Sequence, residues 1–180
     1  MAKSSKKQIE VDEIKVLTEL QNNCKDSLDK IAKRCGFSRQ KTWRILKHLE
    51  KNNTIWGYSA ILDVERLGLK RFYLLLKGKK LPIDNEIEEN IVERSIDKIA
   101  GKMGITVEDS VWLHGKYDGM IVFSVDSVKT AKKFSEAFNN LYKGEINDLQ
   151  LIEEVVTIKK NGFLNPKVKE TKKIIFHSIE

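Results

Sequence analysis

Gln40, Trp43, Arg44 and Lys47 fall on one side of a segment with helical periodicity. They set an amide, an indole, a guanidinium and an ammonium group in one row. Such groups bond base edges and phosphates in the major groove of duplex DNA. Arg39 and Lys41 add two cations suited to phosphates, leaving Gln40, Trp43 and Arg44 nearest to base edges. Trp43 has two further readings, packing on a sugar or packing inside the domain. The chemistry of this row is recognition rather than bond-making. No Ser-His-Asp set, phosphate loop or pair of catalytic carboxylates can be picked out elsewhere in the chain.

Short local signals position the row. Leu28, Ile31, Ala32 and Cys35 recur at helical spacing and give a first helix one apolar face. Ala32 is small enough for a second helix to cross closely. Gly36 stands where a left-handed backbone ends that helix. Ser38 takes the N-cap position of the next, with its side-chain oxygen available to free amides. In that second helix Thr42, Ile45, Leu46 and Leu49 share the face opposite the polar row, and Asn53 closes it. A preceding helix with Val16, Leu17 and Leu20 as its stripe completes a three-helix core. The spacing predicts a strand over 54–62 directly afterwards. The ensemble reads as a helix-turn-helix. Two amphipathic helices around a Gly turn also occur in proteins that never meet DNA, so charge decides between the readings. Residues 1–58 hold 13 basic and 7 acidic residues, a net +6 out of +7 for the chain. Duplex DNA is therefore the expected partner.

Composition narrows the remaining classes. The 180 residues allow one ordinary domain or two small ones, and 41% hydrophobic content supports real cores. Charged residues reach 33%, mean hydropathy is −0.40 and the pI is about 9.3. No apolar run approaches the ~20 residues needed to span a bilayer. The start, Met1 to Lys7, lacks the apolar core of a signal peptide and reads as a basic flexible tail. Cys24 and Cys35 are too few for a disulfide framework, and Cys35 reads as a small core residue. With only His48, His114 and His177 beside them, no zinc spacing exists. The expectation is a cytoplasmic protein with no catalytic residues, metal or cofactor.

The second half changes pattern. Residues 71–77 form a nearly continuous apolar run, a buried strand broken by Pro82. Ile87, Ile91, Ile96, Ile99 and Met103 stripe one long helix. Residues 111–114 and 120–125 form a hairpin around the turn Gly115-Lys116-Tyr117-Asp118-Gly119. Val128, Ala131, Phe134, Phe138 and Leu141 stripe another helix, and 149–158 is a last strand. The order strand-helix-strand-strand-helix-strand is the ferredoxin-like arrangement, helices on one sheet face. The other face needs cover. A second copy supplies it in a homodimer; a strand over 172–179 folding back supplies it in a monomer.

The chain resembles the Lrp/AsnC (feast/famine) transcription regulators of bacteria and archaea. Leu20 to Lys25 (L-Q-N-N-C-K) is similar to L-Q-x-N-A-R, and Ile31 to Ser38 (I-A-K-R-C-G-F-S) to L-A-x-x-V-G-L-S. Arg44 to Glu50 and Ile55 to Tyr58 follow in step, and Leu62 to Gly68 resembles D-P-x-x-L-G, with Val64 in place of Pro. Gly115 to Asp118 resembles the G-x-x-D hairpin turn. Lys25 replaces an Arg and Asn53 a common Gly; the helix after Pro82 is longer and the last twenty residues extend further than usual.

The resemblance implies an α+β protein: a tail over 1–10, a winged, tri-helical helix-turn-helix domain over 11–53 and a connecting strand over 54–68. A ferredoxin-like dimerisation and effector domain then fills 69–160, with an extension over 161–180. It implies a sequence-specific transcription regulator, a homodimer or higher oligomer on palindromic DNA, with Ser38, Arg39, Gln40, Lys41, Trp43, Arg44 and Lys47 at the interface. It also implies a possible small-molecule effector, an amino acid bound near Gly115, Tyr117 and Asp118; the plain alternative is that Gly115 and Gly119 permit a tight turn which Asp118 caps. Two competing readings keep the same architecture. One is a siroheme decarboxylase-like enzyme, which needs His and Arg lining a tetrapyrrole cavity where only His114 is on offer. The other is a ligand-sensing interaction module with a vestigial DNA reader, against which the intact cap, turn and basic face argue.

Overall fold

A computed structural model describes residues 5–79 and 85–170 and divides the chain into two units, residues 1–61 with 159–165, and residues 62–158 with 166–180. The first unit holds three helices, α1 (Lys6–Asn23), α2 (Leu28–Cys35) and α3 (Arg39–Lys51). It also holds a two-residue hairpin that pairs Lys159–Lys160 with Phe163–Leu164. Val16, Ile31, Cys35 and Leu49 form its buried centre, with Leu17, Leu20, Phe37, Ile45 and Ile55 packed around them.

The second unit holds β1 (Lys70–Gly78), α4 (Asn85–Val92), α5 (Ser95–Lys102), β2 (Thr106–Trp112), β3 (Gly119–Val125), α6 (Val128–Leu141) and β4 (Ile146–Glu153). The four strands make an antiparallel sheet in the order β2-β3-β1-β4, which is the expected ferredoxin-like arrangement. Strand residues alternate between faces. Phe72, Leu74, Ile121, Phe123 and Val125 bury one face against Ile96 and Ala100 of α5 and Ala131, Phe134 and Phe138 of α6. Phe123 stacks on Phe72 at 5.7 Å and tilts against Phe134 at 4.7 Å, ring centre to ring centre. Among the described residues no helix is long and apolar enough to cross a membrane.

Several expectations are corrected. The tail predicted over 1–10 is helical from Lys6 onward, because Ser5 caps α1 by accepting from the Gln8 amide at 3.3 Å. The strand predicted over 54–62 does not form, since no neighbouring backbone completes a ladder with it within the chain. The amides of Thr54 and Ile55 bond the Leu49 carbonyl instead, and Val64–Leu67 makes a single 3₁₀ turn. The single long helix after Pro82 is two helices, α4 and α5. Arg94 breaks it by adopting a left-handed backbone (φ 56°), held by its Nε bond to Asp97 at 2.6 Å. Strand β2 starts at Thr106, earlier than predicted, with a bulge between Val107 and Asp109. Strand β4 ends at Glu153 rather than at 158. The strand predicted over 172–179 lies outside the described residues.

The early end of β4 has a visible cause. The face of β1 away from the helices carries Arg71, whose side chain is 5% exposed. Its Nε donates to both Glu108 oxygens, at 3.1 and 3.0 Å, and its Nη1 donates to Glu154 at 3.1 Å. Ser124 donates to Glu108, and Tyr73 and Thr157 donate to Glu154. Burial, then the Glu154 carboxylate, push the Tyr73 hydroxyl up to about 12. Burial alone would raise Glu154, but the bonds from Thr157 and Tyr73 and the Arg71 charge bring it below the ordinary range. The cluster draws three strands and the segment after β4 onto one cation. Arg71→Ala would leave two poorly solvated carboxylates facing each other, so it should cost about 3–5 kcal/mol at neutral pH. Urea denaturation checks this: the midpoint should fall sharply, and the loss should shrink when Glu108→Gln and Glu154→Gln are added.

Candidate nucleic-acid interface

The turn between α2 and α3 follows the predicted chemistry. Gly36 adopts φ 72°, and the amides of Gly36 and Phe37 bond the carbonyls of Lys33 and Ala32 at 3.2 and 2.9 Å. Ala32 is buried where the helices meet. Ser38 then starts α3: its hydroxyl accepts from the Lys41 amide at 3.2 Å and its carbonyl accepts from the Thr42 amide at 3.0 Å. At the far end Asn53 is left-handed (φ 59°), and the Thr54 amide reaches back to Leu49 at 3.0 Å. Thr42 and Leu49 are fully buried on the inner face.

Arg39, Gln40, Trp43, Arg44 and Lys47 are all exposed, at helical spacings that form one outward stripe. Their internal partners are few and solvated. Arg39 Nε lies 3.7 Å from Asp29, Arg44 Nε lies 3.5 Å from the Gln40 carbonyl, and Lys47 Nζ bonds Glu50 at 2.7 Å. Exposed pairs of this kind are worth ~0–1 kcal/mol, so a phosphate can replace them. Trp43 keeps 50% of its surface exposed, which removes the reading that buries it in the domain. With Leu28, Arg39 and Gln40 it lines a shallow open depression.

Ser38 and Lys41 differ from the rest. The Ser38 hydroxyl is occupied as the cap. Lys41 turns inward: its Nζ sits 2.5 Å from Asp12 and 3.9 Å from the centre of the Phe37 ring. Asp12 is 5% exposed and accepts from Gln8 at 2.9 Å as well. Sequence reasoning missed Asp12, although one signal was present: it stands four residues before Val16, on the inner face of α1.

In the second unit each oxygen of the Asp118 carboxylate has a partner. One oxygen accepts from Lys77 Nζ at 2.7 Å and the other from the Gly78 amide at 2.9 Å, while the Asp118 amide donates to the Leu76 carbonyl at 2.9 Å. The Lys77 bond, then the Gly78 amide, hold the carboxyl below its usual range. Tyr117 donates to Gln150 at 2.8 Å, and Gly115 lies exposed with open space around it. His114 is exposed beside this turn.

Comparisons with known proteins fit this geometry. Residues 13–55 match the family model described as winged helix-turn-helix DNA-binding. The leucine-responsive regulatory protein of Haemophilus influenzae is 39% identical over 67 residues, a match spanning 37% of this chain and 40% of that protein. An AsnC family transcriptional regulator from Agrobacterium tumefaciens shares the fold, with TM-score 0.62 at 19% identity over 86% of this chain and 95% of that one. The transcriptional regulator NMB0573 of Neisseria meningitidis, solved in complex with L-Met, also has TM-score 0.62, at 20% identity over 93% and 99% of the two chains. Residues 13–55 are thus similar to winged helix-turn-helix DNA-binding domains. Sequence likeness there, and the fold shared across both units, bear out the resemblance to the Lrp/AsnC regulators.

The Asp12–Lys41 pair generates a pH prediction. The Lys41 bond is the largest cause that lowers the Asp12 carboxyl. A depressed carboxyl stabilises the fold above its unfolded value, ~3.9, and loses that contribution as pH falls through the folded value. Asp12→Asn should therefore destabilise the first unit by about 1 kcal/mol at pH 7, the low end for a charged bond because Lys41 is partly solvated. Thermal melts of both proteins should converge as pH falls below the unfolded carboxyl value, ~3.9; a constant difference across pH would assign the effect to packing.

Proposed function

We propose that this protein is a sequence-specific transcription regulator that binds duplex DNA as a homodimer. The observation that carries the reading is the α3 stripe of Arg39, Gln40, Trp43, Arg44 and Lys47, exposed on a capped and buried scaffold that carries nearly all of the chain's net positive charge. Arg39 and Lys47 hold phosphates, and Gln40 and Arg44 reach base edges. Ser38 and Lys41 serve the interface from behind, by starting α3 and fixing it on α1. A two-fold dimer presents two such helices to successive major grooves ~34 Å apart, which calls for a palindromic site. The cytoplasm, where the chromosome lies, is the compartment this function requires, and the role is non-enzymatic.

Apolar surface supports the dimer. Trp56 is 95% exposed in the segment that found no strand partner, and Val111 and Ile152 are exposed on the sheet. Binding should fall steeply with salt, roughly 10³-fold between 50 and 200 mM when several phosphates are neutralised. Arg44→Ala should lose a further ~1–3 kcal/mol on the preferred sequence if its contact is bidentate. Fluorescence anisotropy on fragments from a genomic library, with mass measurement of the complex, checks both and should find two chains per site. Uniform weak binding to every fragment would sink the reading.

The regulator NMB0573 was solved with L-Met. Here the acidic group suited to an amino acid's ammonium, Asp118, already holds Lys77 and the Gly78 amide. We infer that Gly115, Tyr117 and Asp118 serve mainly as a turn, and that common amino acids bind weakly or not at all. A thermal-shift screen of all twenty at millimolar concentration should show no clear change. A ligand at 100 times its dissociation constant would stabilise by ~2.7 kcal/mol, a shift of a few degrees. Such a shift, abolished by Asp118→Ala, would establish an effector site.

A further inference from the structure

We propose that Trp43 and Leu28 form an apolar slot that takes the 5-methyl group of thymine, and that this slot makes the protein select an A·T pair beside Gln40. The inference rests on the DNA-binding reading above and adds the chemistry of one base position. The depression lined by Leu28, Arg39, Gln40 and Trp43 lies at the start of α3, where a reading helix meets base edges. Trp43 stands three and four residues after Gln40 and Arg39, so helical geometry stacks it over both on one face. Leu28, the first residue of α2, supplies a second apolar wall and is itself only partly buried.

The groups in this depression select among base pairs. An indole carries one donor and otherwise offers apolar surface. The major groove presents one apolar group, the thymine methyl, and it lies across the edge of the pair from the adenine N7 acceptor and N6 donor, with thymine O4 between them. The Gln40 amide matches that adenine pattern in a bidentate bond. Two apolar walls beside one amide therefore complement an A·T pair. A G·C pair offers no methyl to the slot, and its guanine edge shows two acceptors where the amide brings one donor and one acceptor. Packing of Trp43 on a deoxyribose is the competing use of the same surface, and it would be blind to the base.

The test uses the full-length protein and duplexes selected from a randomised library. The best duplex is resynthesised with uracil in place of each thymine in turn, which removes one methyl and nothing else. At one thymine position, repeated by any symmetry in the site, wild-type affinity should fall about fourfold, the equivalent of ~0.8 kcal/mol for one buried carbon group. Trp43→Ala should bind thymine and uracil duplexes equally, and Leu28→Ala should narrow the difference. Lys47→Ala should weaken both duplexes alike and keep the fourfold ratio. Circular dichroism reports folding; if Trp43→Ala does not fold, Trp43→Gln and Leu28→Ala carry the comparison. Uracil tolerated at every position, or a fourfold ratio retained in a folded Trp43 or Leu28 variant, would overturn the slot while leaving DNA recognition intact. Failure to enrich any sequence would overturn the regulator reading and this inference with it.

Discussion

One helix has to be held firmly by a single face. Helix α3 is thirteen residues long, near the length at which an isolated helix is marginal in water. Its stability must come from packing, yet half of its circumference has to stay free for a partner. Thr42 and Leu49 meet this constraint from within, against Val16, Ile31 and Cys35. The Ser38 cap and the Asn53 stop satisfy the ends, so neither end draws a side chain from the outward stripe. The inward turn of Lys41 belongs to the same arrangement. A buried carboxylate at Asp12 requires a cation, and taking it from α3 fixes that helix about its own axis on α1. A rotation that moved Lys41 to the outside would leave Asp12 unpaired and would also take Thr42 out of the core.

The second unit meets a related demand with a different device. One sheet face is covered by aromatic and aliphatic contacts, which are non-directional. The other carries the Arg71 cluster, whose bonds have fixed angles and join β1, β2, β3 and the chain after β4. Register along a strand has a period of two, so a one-residue slip of β1 would turn Arg71 into the apolar layer and Phe72 out of it. Charge and hydrophobicity therefore enforce the same register from opposite faces. Buried ion clusters contribute little net stability against a well-packed apolar alternative. Here the cluster's directional bonds join three strands at fixed positions.

Where the sequence was legible, one local rule sufficed. Gly36, Ser38 and Asn53 each carry a backbone preference that acts within four residues, and each ended or began its helix as expected. The strand order was legible for a similar reason, because apolar runs and helical stripes alternate in an order with few topologies. Residues 54–62 misled, since a β-pattern states a preference for pairing but supplies no partner. The stripe from Ile87 to Met103 misled in another way. Its periodicity continues across a break at Arg94, and arginine carries no punctuation of the kind that glycine or proline gives. The Lys41 pairing was not legible, as nothing within α3 reveals that Asp12, twenty-nine positions earlier, is buried beside it. Long-range pairs of charges are the part of the interface that local pattern does not encode.

Asp118 shows how one residue type serves two opposed ends. A carboxylate in a glycine-flanked turn has the charge and exposure to receive an ammonium group. In this chain Lys77 supplies that ammonium from the neighbouring strand, and the Gly78 amide takes the second oxygen. A ligand's ammonium group that displaced Lys77 would return it to water, replacing one such bond with another of the same kind. The exchange gains nothing from charge, so affinity would have to come from the ligand's carboxylate and side chain. Gly115 leaves open space, and the Tyr117 hydroxyl is committed to Gln150. Internal pairing thus ties the turn to β1, and the same bonds hold the β2–β3 end of the sheet.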